Sequence, residues 1–244
     1  MILSSIFSAS ALGRWKVLRP MIEPLPPPEQ VADELWRMGI AAVGLLGFLN
    51  SDLAFVRRIS ERFPCVLYNK RLVGLSMPCA KPDAAKAMRL AVDWLAGRGR
   101  TRLGLVLPNT DNSFHLEKLA AFEAELTLRG CVLDERFVCE NADAWDEQSL
   151  RSWFAGRLEG ERPLDGVIVP QREHALALSA LLAERGSALG RAADVVVMRS
   201  DDYPGESADP WQRLVFQHRL IAREASRLLL DLAAGRLDPR SAPV

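Results

Sequence analysis

The chain alternates short apolar runs with longer segments in which apolar residues recur every three or four positions. The short runs contain four or five residues and are continuous, which is typical of parallel strands that helices cover on both faces. They predict strands at 42–46, 64–68, 103–107, 166–169 and 195–198, with a weaker candidate at 17–22. Alternation of such strands with helices indicates right-handed strand–helix–strand units and doubly wound parallel sheets.

The longer segments predict amphipathic helices, which we place at 28–38, 53–63, 83–97, 113–129, 147–158, 173–185 and 219–234. In the third helix Asp83 is the expected N-cap, and the apolar stripe consists of Ala84, Ala87, Met88, Ala91 and Leu95.

The helix at 113–129 has a weaker stripe, because Glu123 falls within it. Its predicted members are Leu116, Leu119, Ala120, Phe122 and Leu126. Gly130 supplies the stop that ends this helix.

Composition restricts the function classes. Lysine plus arginine and aspartate plus glutamate each number 31, which argues against a chain whose whole surface grips nucleic acid. The four cysteines form no C-x-x-C pair and only three histidines accompany them, so we expect no metal site and a reducing, cytoplasmic setting. The first 13 residues resemble a signal peptide in being apolar and small, but no positive charge precedes them. No apolar run reaches the ~20 residues of a membrane helix, so we expect no membrane partner.

Catalytic signatures are absent from the sequence. It contains no G-x-S-x-G, Walker A, G-x-G-x-x-G or H-E-x-x-H motif, so we expect no enzymatic activity and no cofactor. The run GRGR at 97–100 is glycine-rich and basic, but it follows a helix, whereas phosphate groups bind at helix starts.

Polar loops follow three of the predicted strands, after residues 107, 169 and 198. In open α/β sheets, ligands bind just outside the carboxyl ends of the strands. These loops are therefore the first candidates for a binding site, although a loop of this class is polar in any protein.

Several of these segments resemble the lac-repressor (LacI/GalR) family of bacterial regulators. The run NSFHLEKLAAF at 112–122 resembles a family segment in which an arginine precedes Leu-Ala-Gly-Phe. GVIVPQREHAL at 166–176 is similar to a strand followed by Asn-Asp-Glu-x-Ala-Leu, and DVVVMRSDD at 194–202 is similar to Asp-Val-Ser-Val-Val-Gly-Phe-Asp-Asp. The likeness extends over about residues 30–235 in the family's order and spacing.

The resemblance implies a two-lobed, periplasmic-binding-protein-like α/β fold with an effector cleft between the lobes. Residues 1–81 and 217–236 would form the N-terminal lobe, without the family's first strand and helix, and residues 82–216 the C-terminal lobe. By matched position, the effector-binding residues would be Asp83, Lys118, Gln171, Arg172 and Asp201.

The function implied is that of an effector-sensing domain acting through a homodimer, with the helices at 53–63 and 219–234 as candidate dimer surfaces. Operator DNA would be contacted only through a helix-turn-helix, and we find no DNA-binding domain in these residues. Other readings stay open: a secreted or periplasmic sugar-binding protein of the same fold, an enzyme on this scaffold, or a fragment that binds nothing.

Departures from the family pattern concern charge. Lys118 stands where the family has arginine, Gln171-Arg172 replaces Asn-Asp, and Arg199-Ser200 replaces Gly-Phe. These changes favour a sugar acid or a sugar phosphate over a neutral sugar as the small-molecule effector.

Overall fold

The computed structural model describes residues 26–108, 111–140, 142, 147–200 and 209–240, and the backbone of 4–9 and 15–21. Contacts divide the chain into two compact units. The first unit comprises residues 1–82, 111–114 and 218–244, and the second comprises 83–110 and 115–217. The chain therefore enters and leaves the second unit twice.

The second unit is built on a five-stranded parallel sheet in the order β10-β9-β8-β6-β7. Its strands are β6 (Leu103–Val106), β7 (Val138–Cys139), β8 (Gly166–Val169), β9 (Asp194–Ser200) and β10 (Gln212–Phe216). Its helices are α3 (Ala84–Gly97), α4 (Ser113–Leu128, whose first two residues belong to the first unit), α5 (Glu147–Arg157) and α6 (Arg172–Glu184).

Helices cover both faces of this sheet, as the apolar runs predict. One core cluster joins the strands to α3 and α4, and another joins them to α5 and α6. All four residues of β6 and of β8 are buried, which explains why these strands were visible as continuous apolar runs. The strands predicted at 103–107, 166–169 and 195–198 are confirmed within a few residues.

Two aspartates fix the amino ends of the strands in the second unit. Asp194, at the start of β9, forms ion pairs with Arg98 at 2.9 Å and Arg100 at 2.6 Å. Asp165 accepts hydrogen bonds from the backbone N–H groups of Thr101 and Arg102 at 3.1 and 2.9 Å. Both carboxylates are buried, so the start of the sheet is held by charge-assisted bonds.

The first unit contains a mixed sheet in the order β2-β1-β3-β4-β5. Its elements are β1 (Ser4–Ala9), β2 (Trp15–Met21), α1 (Pro28–Arg37), β3 (Ala42–Leu46), α2 (Leu53–Arg62), β4 (Cys65–Tyr68), β5 (Cys79–Ala80) and α7 (His218–Ala233). β3, β4 and β5 run parallel, as expected, but β1 is antiparallel to both of its neighbours.

The antiparallel pair β1–β2 departs from the all-parallel expectation. Only the five residues 10–14 connect the two strands, whereas a crossover between parallel strands needs a dozen or more. β1 lies beside β3 and is the hairpin partner of β2.

The two faces of the first sheet are packed unequally. α1 and α2 cover one face, while α7 packs on the other against Ala42, Val66 and Ala80. Where α7 presents Ala222, Ala225 and Ser226 to the sheet, a cavity of about 220 Å³ is left beside β3 and β4.

One predicted apolar stripe is confirmed and another is partly wrong. In α3 every predicted member is buried, and the Asp83 side chain accepts a hydrogen bond from the backbone N–H of Lys86, as an N-cap does. In α4 Phe122 and Leu126 are buried, but Leu116 and Ala120 are exposed. The buried positions follow Lys118, Phe122 and Leu126 at a spacing of four residues, so a lysine occupies a position of the buried stripe that apolar residues alone do not predict.

Candidate functional site

The carboxyl edge of the second sheet is the edge at which the parallel strands β6, β8 and β9 end. α4 follows β6 and α6 follows β8, so both helices begin at this edge. α3 precedes β6 and runs back along the sheet, which places its N-terminus there as well. This edge is the usual position of a ligand in open α/β sheets.

Lys118 lies in the second turn of α4 and is only 3% exposed. Removal of its ammonium group from water lowers the pKa of Lys118 from 10.5 to about 8. A buried cation requires charges or hydrogen bonds that compensate for its lost water, so Lys118 makes this edge locally polar.

Arg172 is the first residue of α6, and exposed Gln171 is its N-cap residue. A cation is unfavourable at a helix N-terminus because the macrodipole is positive there. Arg172 places Nη2 3.4 Å from Oδ1 of Asp209, and its guanidinium carbon lies 5.8 Å from the centre of the Trp211 ring. The carboxylate and the ring thus offset an otherwise unfavourable position.

Arg199, near the end of β9, adds a second guanidinium group to this edge. Its side chain is 7% exposed, and Nη1 lies 3.8 Å from Oδ2 of Asp209. Arg199, Asp209 and Trp211 are absent from the predicted site. Arg199 could have been found from its position directly after an apolar strand, but no local signal in the sequence links it to Asp209.

The remaining predicted residues divide into two cases. Asp83 is exposed and caps α3, with 2.9 Å between its Oδ1 and the backbone nitrogen of Lys86. Asp201 lies outside the described residues. Of the predicted residues that the structure describes, Lys118 is therefore the one that is buried at this edge, and Arg172 is the one whose contacts with Asp209 and Trp211 lie there.

The carboxyl edge of the first sheet carries a polar cluster that the sequence prediction missed. Lys70 follows β4, is 6% exposed, and has a pKa lowered from 10.5 to about 8, chiefly by burial and against the opposing effect of Asp52 and Asp111. Both carboxylates accept other hydrogen bonds, since Asp52 Oδ2 is 2.7 Å from the Leu49 nitrogen and Asp111 accepts from Ser51. Within the described ranges, no hydrogen bond or ion pair satisfies the Lys70 ammonium group.

Asn69 precedes Lys70 and has a φ of 72°, a left-handed conformation that few residues other than glycine adopt. Its Oδ1 is buried, and no described residue donates a hydrogen bond to it. Strained backbone conformations often occur at functional sites. Asn69 and Lys70 together present an acceptor and a donor that a polar ligand can use.

The described part of the chain contains neither a cluster of metal ligands nor a membrane-spanning helix. No cluster of three or more histidine, cysteine, aspartate or glutamate residues could hold a metal ion. No helix there is both long enough and apolar enough to cross a membrane.

Comparison with known proteins identifies the fold. No protein-family model matches the chain, and no curated protein sequence matches it. Among solved structures, a regulatory protein of the LacI family from Chloroflexus aggregans superposes with a TM-score of 0.80 at 17% identity, covering 96% of this chain and 84% of that protein. The transcription regulator CcpA of Lactococcus lactis gives 0.72 at 14% identity, with coverage of 89% and 79%.

A third similar structure is the transcriptional regulator CelR in complex with cellobiose, with a TM-score of 0.71 and 21% identity. The alignment covers 89% of this chain but 65% of CelR, so the chain spans less than two thirds of that regulator's length. The chain has the periplasmic-binding-protein-like fold that these LacI-family regulators share.

Proposed function

We propose that this chain is the effector-sensing domain of a transcription regulator, and that its effector is a small anionic sugar derivative bound at the carboxyl edge of the second sheet. The fold supports the first part, because the similar solved structures include LacI-family regulators and one of them holds a sugar. The charges at the edge support the second part.

The observation that carries the proposal is the set of cations at this edge. Lys118 and Arg199 are buried, and Arg172 is half-buried at the start of α6. Among the described residues, Asp209 is the buried carboxylate that faces the two arginines. A carboxylate or phosphate group on the ligand can accept charge-assisted hydrogen bonds from the cations at this edge, whereas a neutral sugar offers only uncharged acceptors, which form weaker bonds.

A ligand screen tests the effector class. Thermal shift and isothermal titration would compare glucuronate, gluconate and glucose 6-phosphate with glucose and ribose. A ligand at a hundred times its Kd adds ~2.7 kcal/mol to the free energy of unfolding, so a true effector gives a clear shift. The anions should bind and the neutral sugars should not, and the opposite result would refute an anionic effector.

A matched pair of variants ties binding to the site. Lys118→Met removes the buried cation and should weaken anion binding at least tenfold, or ~1.4 kcal/mol. Arg191→Met removes an exposed cation before the amino end of β9, at the opposite edge of the same sheet, and should leave the Kd unchanged within about twofold. Equal effects of the two changes would place the ligand elsewhere.

The regulatory role requires a dimer and a DNA-reading element, because two half-sites of an operator are read by a two-fold pair of proteins. Light scattering with and without the effector tests for the dimer. The genomic reading frame upstream of residue 1 should encode a helix-turn-helix. A monomer in both conditions, with no such upstream segment, would count against a regulator, and failure to bind any ligand would favour an inactive fragment.

A further inference from the structure

Asp209 lies between two arginines in the second unit and is almost entirely buried. Its side chain is 5% exposed, and its two oxygens face different guanidinium groups. Oδ1 is 3.4 Å from Nη2 of Arg172, and Oδ2 is 3.8 Å from Nη1 of Arg199. The carboxylate thus supplies negative charge to a pair of cations.

Both contacts are long for a charge-assisted pair, in which N–H···O distances are about 2.7–2.9 Å. The Arg100–Asp194 pair of the same unit, at 2.6 Å, shows how closely a buried pair can approach. Oδ2 of Asp209 is buried and accepts no hydrogen bond from any residue that the structure describes. Asp209 therefore neutralises the charge of the guanidinium groups without forming a short hydrogen bond to either of them.

Trp211 adds a hydrogen-bond donor that lacks an acceptor. Its side chain packs in the core cluster of α5 and α6, and its Nε1 is buried with no hydrogen-bond partner in the described part of the chain. An indole N–H can only donate. Since Arg172 lies over the same ring, an oxygen brought to the guanidinium groups is also near a donor in need of an acceptor.

We propose that Asp209 is the resident counterion of an oxyanion site formed with Arg172, Arg199 and Trp211, and that the acidic group of the effector displaces it. The inference rests on the proposed function and assigns a residue that sets its selectivity. A carboxylate or phosphate on the ligand matches the guanidinium groups as Asp209 does and can also accept from Trp211. A neutral sugar cannot replace the charge of Asp209, so the resident carboxylate excludes it.

The decisive variant is Asp209→Asn, which keeps the size of the side chain and removes its charge. Because the internal competitor is lost, the Kd for glucuronate and for inorganic phosphate should fall about tenfold, or ~1.4 kcal/mol. Glu173→Gln is the matched control, because it removes the exposed carboxylate of the residue next to Arg172. The Kd of this variant for both ligands should stay within about twofold of the wild-type value. Titration calorimetry measures both.

A second measurement follows the unmodified protein and needs a variant only to assign one signal. The indole N–H signal of Trp211, assigned by its loss in Trp211→Phe, should move downfield in a proton–nitrogen spectrum when glucuronate saturates the site. An unmoved signal at saturation would overturn the proposal.

The outcomes separate this inference from the proposed function. If the wild type binds glucuronate but Asp209→Asn binds it equally or more weakly, the counterion role is wrong and the effector-binding role stands. If only neutral sugars bind to the wild type and to Asp209→Asn, both the anionic effector and the counterion role are wrong.

Discussion

Arg100 donates a hydrogen bond from Nε to Oδ2 of Asp194 across 2.6 Å, which joins the segment before β6 to the first residue of β9. The carboxylate is 4% exposed and also pairs with Arg98, so one buried acidic group holds two cations. This arrangement holds the amino edge of the second sheet, opposite the edge where we place the effector. Stability and binding can therefore be perturbed separately.

Asp194→Ala should lower the free energy of unfolding by about 3 kcal/mol, because it leaves Arg100 next to a buried void without its carboxylate partner. Asp93→Ala is the control, since Asp93 pairs with Arg129 at the surface with 56% of its side chain exposed. An exposed pair of this kind contributes about 0–1 kcal/mol. Urea denaturation followed through the second unit measures both, and equal losses would contradict the assigned role of Asp194.

Lys118→Met should stabilise the protein at neutral pH while it weakens effector binding. Burial lowers the pKa of Lys118 from 10.5 to about 8, so between these values the unfolded chain binds more protons than the folded one. The lysine therefore destabilises the fold at pH 7, and this penalty is relieved as the pH rises from about 8 towards 10.5. The variant should gain about 2 kcal/mol at pH 7 and less at pH 9.5.

Denaturation of the wild type and of Lys118→Met at both pH values measures this gain. Lys70 also has a lowered pKa and contributes the same pH dependence to both proteins, so it cancels in the difference between their free energies of unfolding. Lys86→Met is the control, because it removes a lysine from the exposed face of α3. It should change the free energy of unfolding by less than about 0.5 kcal/mol at either pH. A gain that does not depend on pH would show that the charge of Lys118 is not its cause.

Gly104→Ala and Gly97→Ala should have opposite effects. A Cβ at Gly104, in β6, would come within 2.8 Å of the Phe137 carbonyl oxygen, which belongs to the backbone and cannot move aside easily. We expect a loss of about 1–3 kcal/mol. A Cβ at Gly97, at the end of α3, meets nothing within 4 Å, so alanine should gain about 0.5–1 kcal/mol through its helix propensity. Thermal unfolding of the two variants checks the signs.

Asn69→Gly should raise the free energy of unfolding by about 1 kcal/mol, since it relieves a left-handed backbone and removes a buried acceptor without a donor. Asn50→Gly is the contrasting change, because Asn50 Oδ1 accepts a hydrogen bond from the Val73 nitrogen at 3.2 Å. That variant should lose about 1 kcal/mol. Destabilisation by Asn69→Gly would mean that the amide has a structural partner.

Ala225→Leu should stabilise the first unit by about 1 kcal/mol, because its added carbons enter the cavity beside α7. Ala85→Leu, on the exposed face of α3, gains no burial and should change stability by less than about 0.5 kcal/mol. Melting temperatures of the two variants provide the comparison, and a lower value for Ala225→Leu would indicate that the space is too narrow for the side chain.

The sequence predicted those parts of the fold that follow from burial on both sides of a strand. β6 and β8 are short and wholly apolar, so they stood out. β10 did not, because it is an edge strand with mostly exposed or partly exposed residues. β5 and β7 have two residues each, too few to show any period.

The site was harder to predict, for reasons that individual residues illustrate. Lys118 was found by resemblance, but its burial contradicts the rule that a lysine marks the solvent face of a helix. Arg199 and Asp209 are ten positions apart, and only the folded chain brings their charges together. Lys70 lies in the loop after the strand predicted at 64–68, and the rule that ligands bind beyond the carboxyl ends of strands therefore applies to this loop as well.

The course of the chain through the two units affects how the protein matures on the ribosome. Of the helices that the structure describes, α7 is made last, yet it shields Ala42, Val66 and Ala80 of the first sheet, which emerge more than a hundred residues earlier. Because translation proceeds at about 5–20 residues per second, these strands are synthesised several seconds or more before the helix that covers them. During that interval one face of the nascent sheet stays open to chaperones and to self-association, while the second unit can already complete its core.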